Sequence, residues 1–311
     1  MGSQQSKRTP LGVKSRCRYL VAMSSIAAIV LASCTTSGPP SRDTLARPLP
    51  TPPKAVGRLE RVRAAKRITI GVKEDVPLFG LLDPATGNLS GFDIEIAKGI
   101  TKRLFLIDDP TTHITFVEAL SKDRESLLQS GTVDLVISTY TITDARKQLV
   151  DFAGPYYIAG QDVLTRRELI DNGTIRGVDD VNGRKVCSVN GSTSLLNLQN
   201  AAPKADISIT RDKYSECFEE LRTGRVDAMT TDDVILLGLA RQDQRFALTG
   251  NPFRTEPYGI GVPKGDSELR AFVNDALEDM VRSGEWAKAF ESTVGTAGAL
   301  VPAPPAVDRY E

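Results

Sequence analysis

Twice along this chain, apolar runs of four or five residues alternate with segments of helical period, and that alternation points to a layered α/β design. In the first series Ile68–Val72 reads as a strand and Phe92–Leu104 as a helix, with Ile96, Ile100 and Leu104 stacked four apart. Ile114–Val117 follows as a strand, Asp123–Ser130 as a helix stopped by Gly131, and Asp134–Ser138 as a strand. In the second series Lys185–Val189, Ile207–Thr210 and Asp227–Thr230 read as strands, with helices at Ser194–Asn200 and at Tyr214–Arg222, the latter closed by Gly224. After Tyr258–Val262 a long helical region runs from Ser267 to about Ser292, with Leu269, Val273, Leu277 and Met280 at helical spacing. Such order builds mostly parallel sheets, so two α/β lobes are expected, the last segments returning to the first.

The stretch ahead of this region has a different design. Lys7, Arg8, Lys14, Arg16 and Arg18 form a basic segment without an acid, and Tyr19 to Ala32 carries no charge. That is the order of a secretory signal peptide, and the run is short of the roughly 20 apolar residues of a membrane span. It ends in Leu31-Ala32-Ser33-Cys34, which resembles a bacterial lipobox. Residues 1–33 are therefore expected to be a lipoprotein signal peptide, with cleavage before Cys34 and a diacylglycerol on its thiol. The blander alternative is a short anchor helix that stays attached. Residues 34–56 are rich in Pro, Ser, Thr and Arg and read as a disordered stalk; the Pro-rich tail, 298–311, reads as loose for the same reason.

Charge narrows the function classes. The whole chain balances 39 basic against 39 acidic residues; without residues 1–33 it has 34 against 39, a net of −5. A nucleic-acid partner would need a basic face, so none is expected. Of the four cysteines, Cys187 and Cys217 remain as an even pair in an oxidising compartment and are expected to form a disulfide rather than two buried thiols. A metal or other cofactor is not expected: His113 is the single histidine, and there is no CxxC.

Ligands of open α/β folds bind at the carboxyl ends of strands, and four such ends carry suitable chemistry. Lys73-Glu74-Asp75 follows the first strand; alone it reads as a solvated turn. Ser138 to Arg146 offers hydroxyls, free N–H groups and a guanidinium, the group that grips a carboxylate bidentately. Its blander reading is a helix cap at Thr143 with a surface Arg146. Ser192, Thr193 and Ser194 open a helix whose N–H groups and dipole suit an anion, or else form a plain cap. Asp232 and Asp233 end a strand where a carboxylate could hold an ammonium, or cap the next helix. Together the four supply what a free α-amino acid needs.

These residues lie in stretches that resemble the family 3 extracellular solute-binding proteins, the polar amino-acid receptors of ABC importers. The similar segments are GNLSGFDIEIAKGI, GTVDLVISTYTITDARKQLVDFAGPYY, VCSVNGSTS and GRVDAMTTDDVILLG. The resemblance is greatest to glutamate/aspartate receptors, including actinobacterial lipoproteins with a Cys pair where Cys187 and Cys217 stand. It implies a two-lobed, type II periplasmic-binding-protein-like fold, each lobe a mixed, mostly parallel sheet flanked by helices. Lobe 1 would be 57–155 plus 254–297 and lobe 2 156–253, with hinge crossings near Phe152–Ile158 and Asn251–Gly259. It further implies that Arg146 takes the α-carboxylate, flanked by Thr141 and by Ser138 or Thr139. Ser192 and Thr193 would donate from the second lobe, Asp232 would hold the ammonium, Lys73 would meet an acidic side chain, and Tyr214 would line the same wall. One departure stands out: Val76 lies near the position where many relatives place a ligand-stacking aromatic, with Phe79 three residues on.

The function expected is that of a lipid-anchored, extracytoplasmic receptor of the cell membrane that delivers an amino acid to an ABC permease. L-glutamate or L-aspartate leads, glutamine or asparagine comes next, and a cationic ligand is disfavoured by Lys73. The alternative is a receptor that signals through a membrane sensor. An enzyme using Glu74 or Asp75 is the remote third reading, since the predicted cleft lacks a histidine or metal cluster.

Overall fold

Strand β1 (Ile68–Val72) is buried along almost its whole length, because Ile68, Ile70 and Val72 face helices while parallel neighbours cover both edges. The computed structural model describes residues 57–310; the expected signal peptide, the expected lipidation at Cys34 and the expected stalk lie outside the described residues. Around β1 are α1 (Arg58–Ala65), the short strands β2 (Asp75–Val76), β3 (Gly80–Leu82) and β4 (Leu89–Ser90), and α2 (Phe92–Phe105). Then come β5 (Ile114–Glu118), α3 (Arg124–Gln129), β6 (Leu135–Val136) and α4 (Asp144–Lys147). The long strand β7 (Asp151–Arg166) leads to α5 (Arg167–Asp171), β8 (Val186–Cys187), α6 (Thr193–Ala201), α7 (Tyr214–Arg222), β9 (Ala228–Asp232), α8 (Asp233–Ala240) and β10 (Phe246–Leu248). Strand β11 (Arg254–Val262) returns to α9 (Ser267–Arg282) and α10 (Glu285–Ser292).

The strand order is β5-β1-β6-β11-β7-β9-β8, with β10 beside β7. β5, β1 and β6 are parallel, as are β9 and β8. Between the two groups run β7 and β11, antiparallel to each other and to their outer neighbours. Two parallel lobes joined by two long strands is the mixed, two-lobed architecture expected from the sequence. Helices α9 and α10 do return to the first lobe, where they pack on α2. There Phe92 meets Trp286 at 5.5 Å and Phe290 at 5.8 Å, both edge-on, and the Trp286 indole N–H donates to the Tyr156 carbonyl at 2.9 Å.

Most predicted elements are present within a residue or two. Ile207–Thr210 is not a strand: only its flanks bridge, Asp206 to Lys185 and Arg211 to Val189. The Asp206 carboxylate accepts the Ser208 N–H at 3.0 Å, a local bond that diverts the backbone from a ladder. The long last helix breaks at Gly284, whose φ of 78° lies in the left-handed region that favours glycine. The tail is not loose. It has no regular structure, but Asp308 N–H donates to the Gly154 carbonyl at 2.8 Å and Arg309 pairs with Asp275 and Glu278 on α9. Cys187 and Cys217 form the expected disulfide, with Cα atoms 5.5 Å apart, joining β8 to α7 in the second lobe's core.

Candidate functional site

Every candidate residue sits close to a strand end or in the first turn of a helix, and all are buried except Thr193, which is half-buried. Lys73 leaves β1 and is 1% exposed; its ammonium donates to Ser121 Oγ at 2.9 Å and lies 5.5 Å from the centre of the Tyr214 ring. Burial, reinforced by the charge of Arg124, lowers its pKa to about 7. Tyr214 opens α7 and is itself buried, so its ring places the second lobe directly over Lys73.

The loop after β6 is held in an unusual conformation. Thr139 has φ of 43°, costly for a β-branched residue. It persists because its N–H donates to Asp93 Oδ2 at 2.9 Å while its carbonyl accepts from Arg124 at 3.2 Å. Asp93, the acid of the GFD element, also accepts from the Tyr156 hydroxyl at 2.5 Å, and burial raises its pKa to about 6. Its role is therefore to shape the binding loop from behind. Ser138 donates to the Ala119 carbonyl at 3.1 Å, and its own carbonyl accepts from Arg124 at 3.1 Å.

Thr143 does cap α4, accepting the Arg146 N–H at 3.2 Å, but the side chain of Arg146 turns inward and is only 8% exposed. Its guanidinium donates to the Thr141 carbonyl at 2.8 Å and, across the cleft, to the Gly191 carbonyl at 3.1 Å, and pairs with Glu125 at 3.2 Å. Burial, then the neighbouring Arg124, lowers its pKa to about 10. The ring of Tyr140 lies beneath two guanidinium groups, Arg146 at 5.0 Å and Arg124 at 4.3 Å.

On the second lobe Ser192 is the cap of α6: its hydroxyl accepts the Leu195 N–H at 3.1 Å and donates to the Val189 carbonyl at 2.7 Å. The Thr193 hydroxyl donates to Glu256 at 2.7 Å and lies 3.4 Å from that of Thr141. Asp232 does not cap α8 with its side chain; it accepts from the Tyr258 hydroxyl at 2.6 Å and from Ser194 at 3.3 Å. Burial, then the charge of Glu256, raises its pKa to about 8. Lys73, Thr141, Arg146, Thr193, Tyr214 and Asp232 thus belong to one network that spans both lobes.

Three members were not foreseen. Ser121 and Arg124 follow β5, and Arg124 falls within the helix expected at Asp123–Ser130. It is in fact 2% exposed, and its guanidinium donates to three backbone carbonyls and lies over a ring. The strand-end rule applied to β5 would have found it. Glu256, on β11, is 2% exposed and gave no local signal; it accepts from Thr193 and from Asn197, both at 2.7 Å. Val76 and Phe79 are fully buried, and Phe79 is edge-on to Phe92, Tyr157 and Tyr258 in the first lobe's aromatic core.

A profile of the bacterial extracellular solute-binding proteins, family 3, matches residues 68–296, the whole span that builds this network. The chain belongs to that family. Among its family 3 relatives is the ABC transporter glutamine-binding protein GlnH of Bacillus subtilis, 37% identical over 283 residues, covering 88% of this chain and 96% of the relative. Another is the glutamate-binding protein GluB of Corynebacterium efficiens, 36% identical over 242 residues, covering 75% of this chain and 81% of the relative. The solved structure of an ancestral arginine-binding protein bound to glutamine matches with a TM-score of 0.67 and 37% identity, over 74% of this chain and 98% of its own. The family 3 chain described here thus shares the type II, two-lobed fold.

Proposed function

We propose that this protein is a lipid-anchored extracytoplasmic receptor that binds an acidic L-amino acid, glutamate or aspartate, and delivers it to an ABC permease. The carrying observation is the charge balance of the network. Arg146 has an acidic partner in Glu125, whereas Lys73 and Arg124 form no ion pair among the described residues. A buried cation without a counter-charge is costly, and a second carboxylate on the ligand would supply one. In this reading Arg146 and the N-terminus of α6 take the α-carboxylate and Asp232 takes the ammonium. Lys73 and Arg124 take the side-chain carboxylate. The names of the glutamine- and glutamate-binding relatives support a ligand of that size. The Leu31–Cys34 motif supports the anchor.

The test is calorimetric titration of the purified full chain, unfolded and refolded first to strip carried-over ligand. The panel is glutamate, aspartate, glutamine, asparagine and arginine. Tight binding of the acidic pair with arginine silent supports the reading; preference for arginine, or silence throughout, sinks it. The pH dependence separates Lys73 from the rest. Asp232, at about 8, acts on every amino acid alike, so it cancels in the glutamate-to-glutamine ratio. Lys73, at about 7, is charged below that pH and neutral above it until a carboxylate arrives. The preference for glutamate should therefore hold below about pH 7 and decline above it, and Lys73→Met should remove the decline.

A further inference from the structure

The tail beyond residue 297 lies outside the stretch matched to the family, yet it is docked against the back of the binding site. Phe152 N–H donates to the Tyr310 hydroxyl at 2.8 Å, and the Gly154 carbonyl accepts the Asp308 N–H at 2.8 Å. Those two groups lie two residues apart on β7, and so on one edge of the strand. The tail covers that edge just before the strand crosses to the second lobe. The Tyr310 ring lies between two cations, the Lys147 ammonium at 4.1 Å and the Arg270 guanidinium at 4.5 Å from its centre. Arg309, paired with Asp275 and Glu278, pins the segment to α9.

Two short routes lead from Tyr310 to the arginines of the site. The first runs through rings: Tyr310 packs in the cluster that holds Phe152 and Tyr140, Phe152 meets Tyr140 edge-on at 4.8 Å, and Tyr140 lies under both Arg124 and Arg146. The second runs along the chain: Lys147, which covers Tyr310, follows Arg146 in the single turn of α4. A helix that short has little rigidity of its own and takes its position from what it packs on.

We infer that Tyr310 is a positioning residue for the arginine pair, fixing Phe152 and Lys147 and, through Tyr140, the platform on which Arg124 and Arg146 lie. This rests on the proposed amino-acid site, because guanidinium–carboxylate recognition is directional and loses affinity when its support loosens.

The experiment compares Tyr310→Ala and Tyr310→Phe in the full chain by three measurements. These are glutamate titration, amide exchange at Phe152, and the Nε–Hε resonances of Arg124 and Arg146 without ligand. Tyr310→Ala should weaken glutamate roughly threefold to thirtyfold, speed exchange at Phe152, and displace or broaden both arginine resonances. Tyr310→Phe keeps the ring between Lys147 and Arg270 but loses the oxygen. It should speed exchange at Phe152 as much, displace the arginine resonances less, and bind within about twofold of the parent. An alanine variant with unchanged affinity and unmoved resonances overturns the inference, as does a phenylalanine variant that binds no better than the alanine one. Were the alanine variant not to fold, unmoved resonances in Tyr310→Phe would overturn it. Were the parent chain to bind no amino acid, the proposed function would fail, and the resonances alone would still decide the part played by Tyr310.

Discussion

Asp232 is 3% exposed and bonded to a phenol and a hydroxyl rather than to a cation, so the free protein holds a carboxylate where ionisation is costly. With its pKa up at about 8, against an ordinary value near 3.8, its contribution to stability is fully present below about pH 3.8. That contribution declines as pH rises and is gone above about 8. Asn at this position mimics the protonated form. Asp232→Asn is therefore expected to raise the melting temperature of the unliganded protein at about pH 8 by roughly 2–8 °C, while weakening every amino acid at least about 30-fold. Scanning calorimetry and titration of the same sample would check both halves, and a lower melting temperature or retained affinity would refute the trade between stability and binding. At this scale strand ends were the legible signal: Lys73, Thr141, Arg146, Thr193 and Asp232 were singled out by lying beyond one, and the fold brings them into one network, while Arg124, beyond β5, was passed over. The sequence was silent on Glu256, which lies within β11 and reaches the site only because that strand passes beside α6.

Strand β8 is two residues long and would be a weak element alone, yet it forms the outer edge of the second lobe's sheet. The Cys187–Cys217 bond ties it to α7, whose first residue, Tyr214, is the lid over Lys73. The bond closes a 30-residue separation, which the chain-entropy view equates with roughly 3 kcal/mol. Replacing both cysteines with alanine should lower the melting temperature by roughly 6–12 °C, and a reductant should do the same to the parent but not to the variant. Equal melting curves would show that packing alone holds β8. Pairing of these cysteines was legible because few partners were possible. The three-stranded sheet of β2, β3 and β4 was not, since strands of two or three residues are too short for a period to show. Ile207–Thr210 failed the other way: the apolar alternation was real, but the Asp206 side chain competed for the backbone.

Among the described strands only β7 and β11 link the two parallel groups, so any turn of one lobe against the other would act on these crossings and on contacts at the mouth of the cleft. Three polar contacts bridge the mouth beside the candidate residues: Lys122 with Asp212, Lys213 with Glu118, and Ser215 N–H with Asp75 at 3.0 Å. The last gives Asp75 a structural part, capping α7 from the opposite lobe. Gly191 meets the Lys122 backbone so closely that a Cβ there would lie 2.5 Å from its Cα, which is why a glycine stands at that crossing. The two-lobed layout of the described residues was readable from the order of elements; these mouth contacts were not, because they join residues 90 or more apart through groups that a sequence presents as ordinary polar surface. Their energetic part differs from that of the site. A contact formed on closure but not touching the ligand favours the closed form equally for every ligand. Removing both ion pairs, in the double variant Lys122→Ala and Lys213→Ala, should therefore weaken glutamate and glutamine alike, by roughly threefold to tenfold given that exposed pairs are individually weak. The effect should shrink with added salt in the parent-to-variant comparison, as screening removes what the substitution removes. Titration of both ligands at low and high salt would check this. A changed glutamate-to-glutamine ratio would place these lysines in recognition rather than closure, and an unchanged affinity would mean that β7 and β11 set the closed form without help from the mouth.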